Sequence, residues 1–412
     1  MKQHKPETGL PSKLKYNLAR CWWKETRARW RRFRHLRKTT VLAVTGSCGK
    51  TTATCFLGKI LGDHAPCYTG VNRNTSRAIY KNLRKMRTSC RFLVQEMGVG
   101  FPGDMEQNIR ALPPHIGIVT TIGQDHYTSF RTPEATAAEK GNLIAALPES
   151  GTAVLNADDP HVMSMAPHTR AGILTYGCSE HADVRGSDIC SAWPQRLSLT
   201  VTYGHESVRV ETGLFGDLLV TSLLAAIAGA LAVGVPLSQC AASLKGVESF
   251  PARLSIHRSP QGAWLIKDTV KAPFWNVGKT IALMKNASAS RKTVVIGCFS
   301  DTAGSDSQKY RTMARLALEI ADRVIFVGGK ATYVRKIQTE ELTNRLYLFD
   351  DIQAACRFLE NATVQNELVL LKSSSRYHLE RMLYGQLEGF NCWKSSCDKK
   401  IDCAECPDRF GT

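Results

Sequence analysis

Short apolar runs alternate with helical periodicities along most of the chain. Val41-Leu42-Ala43-Val44-Thr45 is a continuous apolar strand that enters a glycine-bearing turn and then a helix over Ala53 to Leu61. A helical stretch through Met86 follows the polar turn Thr69 to Thr75. Phe92 to Gly98 and Ile116 to Ile122 read as further buried strands, and Pro133 suits the first turn of a helix whose body is Ala135 to Leu147. Gly213 to Val235 reads as a loop and an alanine-rich helix. Beyond it, Thr293 to Phe299, Arg323 to Gly328 and Glu367 to Leu371 are strands, with helices at Gln308 to Ile320, Ile352 to Glu360 and Tyr377 to Leu387. Alternation of this kind predicts an α/β fold, an open sheet with helices on both faces.

The 412 residues leave room for two or three domains, and 43% hydrophobic content is that of a soluble globular protein. No apolar run approaches the ~20 residues of a membrane span, and the polar, basic start has no apolar h-region, so cytosolic residence is expected. Most of the 14 cysteines are scattered singly in apolar segments, as with Cys55, Cys240, Cys298 and Cys356. Free buried thiols in a reducing compartment are expected for those.

Charge changes the picture at one end. The net charge is +18, and between Lys13 and Lys38 lysine and arginine face the single acid Glu25. Leu14, Leu18, Trp22, Thr26, Trp30 and Phe33 recur there at helical spacing, which makes residues 1–39 a basic amphipathic head. Three readings stay open: an interfacial helix on an anionic membrane, a helix packed on the next domain with a solvated basic face, or a binder of RNA or an acidic polymer.

The chemistry begins at Thr45-Gly46-Ser47-Cys48-Gly49-Lys50-Thr51-Thr52. Gly46, Ser47 and Gly49 let backbone N–H groups close on phosphate, Lys50 supplies a point charge, and Thr51 and Thr52 open the helix, with the Thr51 hydroxyl available to Mg²⁺. Such a loop is a nucleoside-triphosphate cradle. Glu96 ends the next strand, and in a parallel sheet it falls within reach of a metal held by Thr51. His126 follows a third strand, and Lys140 lies in the helix after it.

The order T-G-x-x-G-K-T-T, E-M-G, D-H, then A-A-E-K and Asn156-Ala157-Asp158-Asp159, resembles the central domain of the Mur ligase superfamily, which also holds folylpolyglutamate synthetases. It is closest in flavour to the members that add D-Ala-D-Ala in peptidoglycan synthesis. The resemblance implies a P-loop ATPase central domain over residues 40–248 and a Rossmann-like α/β C-terminal domain over 249–390. It implies that Thr51 and Glu96 bind one Mg²⁺, that His126 binds a second, and that Lys140 is carbamylated into a metal ligand. Phe250-Pro251-Ala252-Arg253 resembles the step into the third domain, whose arginine approaches ATP phosphates, and Asp268 matches a nucleotide-binding aspartate. The chain departs from the pattern at Phe215-Gly216-Asp217-Leu218-Leu219, where Gly-x-His-Asn is usual with its Asn near the adenine, and at Lys271, where His is common.

The family usually places a UDP-sugar-binding domain ahead of the phosphate loop; here only the basic head stands there. The resemblance implies ATP- and Mg²⁺-dependent amide formation between a carboxylate, from a peptide or glycan of the cell envelope, and an amino acid or other amine. A poly-γ-glutamate synthase-like or capsule-modifying ligase is one alternative, and a non-ligating nucleotide-binding regulator another. The head then suggests a location at the inner face of the membrane and no specific nucleic acid.

Residues 391–412 form a cysteine-rich tail with Cys392, Cys397, Cys403 and Cys406 and no core-forming apolar residues around them. One tetrahedral zinc site, unpaired thiols in a flexible tail, and a redox or cluster role are the readings for it.

Overall fold

A computed structural model describes residues 37–71, 74–86, 90–124, 127–300, 304–387, 390–394, 397–399 and 401–410. The head up to residue 36 lies outside the described residues, and so does His126.

Nine strands form the first sheet: β1 (Thr40–Thr45), β2 (Cys67–Gly70), β3 (Phe92–Glu96), β4 (Ile116–Val119), β5 (Thr152–Asn156), β6 (Gly172–Gly177), β7 (Val184–Cys190), β8 (Ser198–Tyr203) and β9 (Glu206–Glu211). They lie in the order β2-β3-β1-β4-β5-β6-β7-β8-β9. The strands from β2 across to β7 run parallel, while β7, β8 and β9 pair antiparallel as a meander at the edge. Central strands such as β3 and β4 are buried along their whole length, which is why they read as unbroken apolar runs. The meander was not anticipated, because its strands mix exposed and buried positions and carry no glycine-loop or helix marker.

The helix Lys50–His64 leaves the end of β1 and packs on the helix Val220–Leu231. Gly229 permits that approach, since a Cβ there would stand 2.7 Å from Ile118 and 3.1 Å from Leu57. The helix Pro133–Ala145 begins where proline predicted, with Thr132 Oγ1 accepting from the Ala135 N–H at 3.2 Å.

Six strands form the second sheet: β10 (Arg253–Arg258), β11 (Trp264–Asp268), β12 (Lys292–Ile296), β13 (Arg323–Val327), β14 (Leu346–Phe349) and β15 (Leu368–Lys372). Their order is β10-β11-β15-β12-β13-β14, with β10 antiparallel at one edge and the rest parallel. Asp306–Ile320 and Ile352–Ala362 are helices, and a 3-10 turn at Ser375–Tyr377 delays the closing helix to Arg381–Leu387.

One apolar core is continuous between the two halves, from Leu57 and Ile118 through Trp193 and Phe215 to Ile266 and Phe326. The rings of Trp193 and Trp264 meet edge to face at 5.2 Å. Among the described residues, no helix is long and apolar enough to cross a membrane.

The tail corrects an expectation. It is not an apolar-poor appendage: Phe390, Cys392 and Cys403 are buried in one core with Leu371, Leu379 and Met382 of the second half. The partner surface was invisible in the local sequence because the second sheet supplies it. Two of the thiols expected to be buried, Cys55 and Cys298, are only half-buried, whereas Cys240 and Cys356 are buried.

Candidate active site

The C-terminal ends of β1, β3 and β4 meet at the phosphate loop, the edge at which parallel sheets bind ligands. Gly46 has φ +140° and Gly49 φ +79°. A Cβ at Gly46 would lie 2.0 Å from Thr120 Oγ1, and one at Gly49 would lie 2.5 Å from Ser222 Oγ. Both glycines are therefore fixed by backbone angle and by neighbours pressing on the loop.

Lys50 is buried and donates to the loop carbonyls of Gly46 and, at 3.3 Å, Ser47. Ser47 Oγ accepts from the Gly123 N–H at 3.1 Å, and the Ser47 N–H donates to Thr121 O at 2.6 Å. Thr52 is buried in the first turn of the loop helix and lines the same cavity.

Thr51 Oγ1 donates to Glu96 Oε2 at 3.0 Å, and Asn74 Nδ2 donates to the other carboxylate oxygen at 3.0 Å. The sequence expectation that Glu96 reaches the Thr51 site is thus met in geometry. Asn74 is a site residue that sequence reading missed, since nothing distinguished it from an ordinary turn asparagine. A hydroxyl beside a carboxylate at the foot of a phosphate loop is a hard-oxygen donor set that suits Mg²⁺.

Across the cavity, Arg253 opens β10 and donates to Thr51 Oγ1 at 3.1 Å. Asp268 ends β11 and pairs with Lys372 at 2.5 Å, and Lys372 Nζ also donates to the Lys271 carbonyl at 2.9 Å. Register makes the first contact unavoidable, because Asp268 sits opposite Lys372 where β11 pairs with β15. Trp275 Nε1 donates to Gln124 O at 3.0 Å and Asn276 Nδ2 to Cys48 Sγ at 3.5 Å, so the helix Phe274–Ala282 leans directly on the loop side.

These groups line one cavity of about 810 Å³ that also receives Asp158, Asp159, Asp217, Ser222, Lys271 and Lys279. Asp158 accepts from the Cys178 and Ser179 N–H groups, and Asp159 caps the short helix after it and accepts from Ile122 N–H at 2.7 Å. Those two carboxylates hold backbone. Glu96, Asp217 and the Lys372-paired Asp268 are the other acids lining the space among the described residues.

Lys140 is almost completely buried on the helix Pro133–Ala145 and does not line this cavity among the described residues. Its neighbour Glu139 accepts from the Met105 N–H at 2.8 Å and the Gly103 N–H at 3.0 Å. Beneath the loop, burial pushes the Cys55 thiol up to about 12, with Arg253 opposing and Glu96 adding to the rise. Cys55 is therefore an inert thiol at neutral pH.

The tail cysteines stand elsewhere. Cys392, Cys397, Cys403 and Cys406 all line a separate cavity of about 200 Å³ under the second sheet.

Comparison with known proteins places these features. Residues 44–230 match the Mur ligase middle domain. The UDP-N-acetylmuramoyl-tripeptide–D-alanyl-D-alanine ligase of Mycobacterium bovis is 30% identical over 298 residues, 70% of this chain and 58% of that protein. The UDP-N-acetylmuramoyl-L-alanyl-D-glutamate–2,6-diaminopimelate ligase of Geobacillus kaustophilus is 28% identical over 70% of this chain and 62% of its own length. This chain thus spans about 58% of the length of the first of these relatives. Among solved structures, MurF from Acinetobacter baumannii superposes with a TM-score of 0.78 at 23% identity, covering 89% of this chain and 80% of that one. MurF ligase from Thermotoga maritima in complex with ADP gives 0.74 at 19% identity, covering 87% of this chain and 82% of that one.

Proposed function

The chain belongs to the Mur ligase superfamily, and from that premise we propose that it is an ATP-dependent carbon–nitrogen ligase joining a carboxylate to an amine. One observation carries the reading: Thr51 and Glu96 at the foot of the phosphate loop face Arg253 and the Asp268–Lys372 pair across a single cavity. A binder that only held nucleotide would have no need of cations on both sides of the phosphates.

In the proposed reaction the γ-phosphoryl group of ATP passes to a carboxylate oxygen. The amine then attacks the acyl carbon, and phosphate leaves as the amide forms. Lys50 turns from its loop carbonyls to the phosphates, and Arg253 leaves the Thr51 hydroxyl to stabilise charge on the transferring group. Gly46, Ser47, Gly49 and Thr52 present backbone N–H groups to the phosphates. Thr51 and Glu96 would hold a Mg²⁺, which when bound would supply further neutralisation of the phosphate oxygens. Asp268 orients the nucleotide from the third domain, and the Trp275 contact with Gln124 holds that domain closed and water out.

His126 and a carbamylated Lys140 belong to the same proposal as holders of a second Mg²⁺. Lys140 is almost completely buried, which favours the neutral amine, the form that reacts with carbon dioxide. Lys140→Ala is expected to be nearly inactive and partly restored by added short carboxylates; indifference to both removes the carbamate from the reading.

The proposed division is 40–248 for the ATP-binding domain and 249–390 for the C-terminal domain. The substrates are assigned to the cell envelope, as the relatives' names describe for them. The basic head is assigned a recruiting role at an anionic surface on the cytoplasmic side of the membrane. Deletion of residues 1–38 with unchanged liposome sedimentation would remove that role.

The test is phosphate release with ATP and Mg²⁺ while carboxylates and amines are added singly and together. Release that needs both establishes the ligase. Release that needs neither, or nucleotide binding without turnover across a broad panel, favours the regulatory reading, which the altered segment Gly216-Asp217-Leu218-Leu219 and Lys271 support.

A further inference from the structure

From the tail cavity we infer a zinc site of the Cys₃His type, with Cys392, Cys403, Cys406 and His378 as its four ligands. It lies outside the proposed ligase site and rests on residues that the ligation reaction does not use.

The three thiols are buried, at 7%, 4% and 8% exposure, and with His378 they line the cavity of about 200 Å³ between the tail and the second half of the chain. His378, Glu380 and Cys403 are all buried, with ligand atoms within 4.8 Å of one another. His378 Nδ1 faces Glu380 Oε1 at 2.9 Å and Cys403 Sγ at 3.5 Å. Its other nitrogen, Nε2, is buried without a hydrogen-bond partner, and so is Glu380 Oε2. Buried polar atoms in folded proteins are satisfied, and an orphaned imidazole nitrogen on the wall of a cysteine-lined cavity asks for a ligand.

The arrangement is the one metal-binding histidines use. A carboxylate takes the proton of one ring nitrogen, fixing tautomer and orientation, and leaves the other nitrogen to the metal. Here Glu380 Oε1 accepts from Nδ1–H at 2.9 Å and leaves the unpartnered Nε2 to coordinate once the thiols, of which Cys403 now stands 3.5 Å from Nδ1, draw round to it. Three thiolates and an imidazole are a borderline-soft donor set that selects Zn²⁺ over the Mg²⁺ of the phosphate loop.

Charge complements the site. Three thiolates around Zn²⁺ leave a net negative charge, and the cavity walls carry Arg381, Lys394, Lys399 and Arg409 against Asp398 and Asp408, the last already paired with both lysines. Lys399 Nζ already lies 3.8 Å from Cys406 Sγ. Cys403 and Cys406 occupy one short turn, Cys403–Glu405 and its C-cap, so their spacing is the close pair familiar from structural zinc sites. Asp402, next in sequence, accepts from the buried Lys267 at 2.8 Å and from Tyr384 at 2.7 Å, which fastens that turn to β11 and the closing helix. Among the described residues the ligand atoms within 4.8 Å of one another are those of His378, Glu380 and Cys403, so coordination requires the Cys392 and Cys406 thiols both to draw in on a turn that is already anchored. Cys397 is only half-buried and is left at the mouth of the cavity.

The full chain, purified without chelator, is expected to contain one zinc per molecule by elemental analysis. Co²⁺ exchanged into it should give the strong visible bands of a tetrahedral site and a thiolate charge-transfer band. Chelation should expose three additional thiols to a thiol reagent, and added zinc should mask them again, a readout on the unmutated protein that does not depend on any variant folding. Cys406→Ser and His378→Asn should each lose the metal, while Cys397→Ser and the control Cys190→Ser should keep it. A protein that contains no zinc and takes none up overturns the site. Zinc retained by both Cys406→Ser and His378→Asn overturns it as well, and zinc lost from Cys397→Ser replaces the Cys₃His set with four cysteines.

Discussion

Both sheets turn the C-terminal ends of their strands to the same cavity, yet the two walls differ in charge. Among the described residues, the wall from the first sheet presents Lys50 with the acids Glu96, Asp158, Asp159 and Asp217. The wall from the second presents, among the described residues, Arg253, Lys271, Lys279 and Lys372 with the acid Asp268. The proposed binding of a triphosphate with Mg²⁺ would use this division. Oxygen donors for the cations belong beside the phosphate loop, and fixed positive charge belongs on the side that closes over the phosphates. The walls also differ in how their charges are held. Lys50 is kept by carbonyls four and three residues away, whereas Arg253 is kept by a hydroxyl 202 residues away. Lys50 is thus held by its own loop, whereas the Arg253 contact exists only when the two halves dock.

The largest expected effect comes from removing the second wall altogether. Glu367 is fully buried, receives Arg323 and Arg291 at 2.6 Å each, and also accepts from Thr293. Burial lowers the pKa of Arg323, with Glu367 opposing that fall, so the pair is tightly dependent. Glu367→Ala strands two guanidinium groups and is expected to cost about 3–5 kcal/mol in urea unfolding. If phosphate-loop binding of nucleotide survives while turnover is lost, the two walls are independent in the sense drawn here.

Lys50→Ala attacks the first wall directly. A loss of about 10²–10³-fold in ATP turnover is expected, with unfolding behaviour close to that of the parent. Arg253→Ala removes the counterpart across the cavity and is expected to weaken transition-state binding by about 1.5–3 kcal/mol, the scale of a hydrogen bond to a charged group. Equal losses from the two substitutions would erase the distinction between a local and a docked wall.

Trp275→Phe is the mildest probe. It keeps an aromatic ring against Gly123 and deletes the N–H that donates to Gln124 O, at about 0.5–1.5 kcal/mol. Its effect should fall on closure, read as a change in KM with little change in the unfolding midpoint.

Much of the first wall was legible in sequence because its signals are local. Apolar runs named β1, β3 and β4, and the glycine spacing named the loop between β1 and its helix. The expected strand at Ile116 to Ile122 ends at Val119, since the backbone beyond it turns to hold the loop through Thr120 and Thr121. The second wall was legible only through the resemblance. As bare residues, Arg253 and Asp268 are an arginine after a loop and an aspartate at a strand end. Lys372 gave no signal at all as the partner of Asp268, because the two are 104 residues apart and meet by strand register.

By itself, then, the sequence determined the alternation of strands and helices, the phosphate loop and the kind of ligand it can hold. Periodicity and glycine placement act through neighbours in the chain, so they can be read one segment at a time. Tertiary structure alone decided that Asn74 joins Thr51 on Glu96, that the cations gather on the opposite wall, and that the tail is packed rather than loose. Those outcomes depend on strand order, on the register of β11 with β15 and on the shared core around Trp193 and Trp264, and each is set by contacts between residues far apart in sequence.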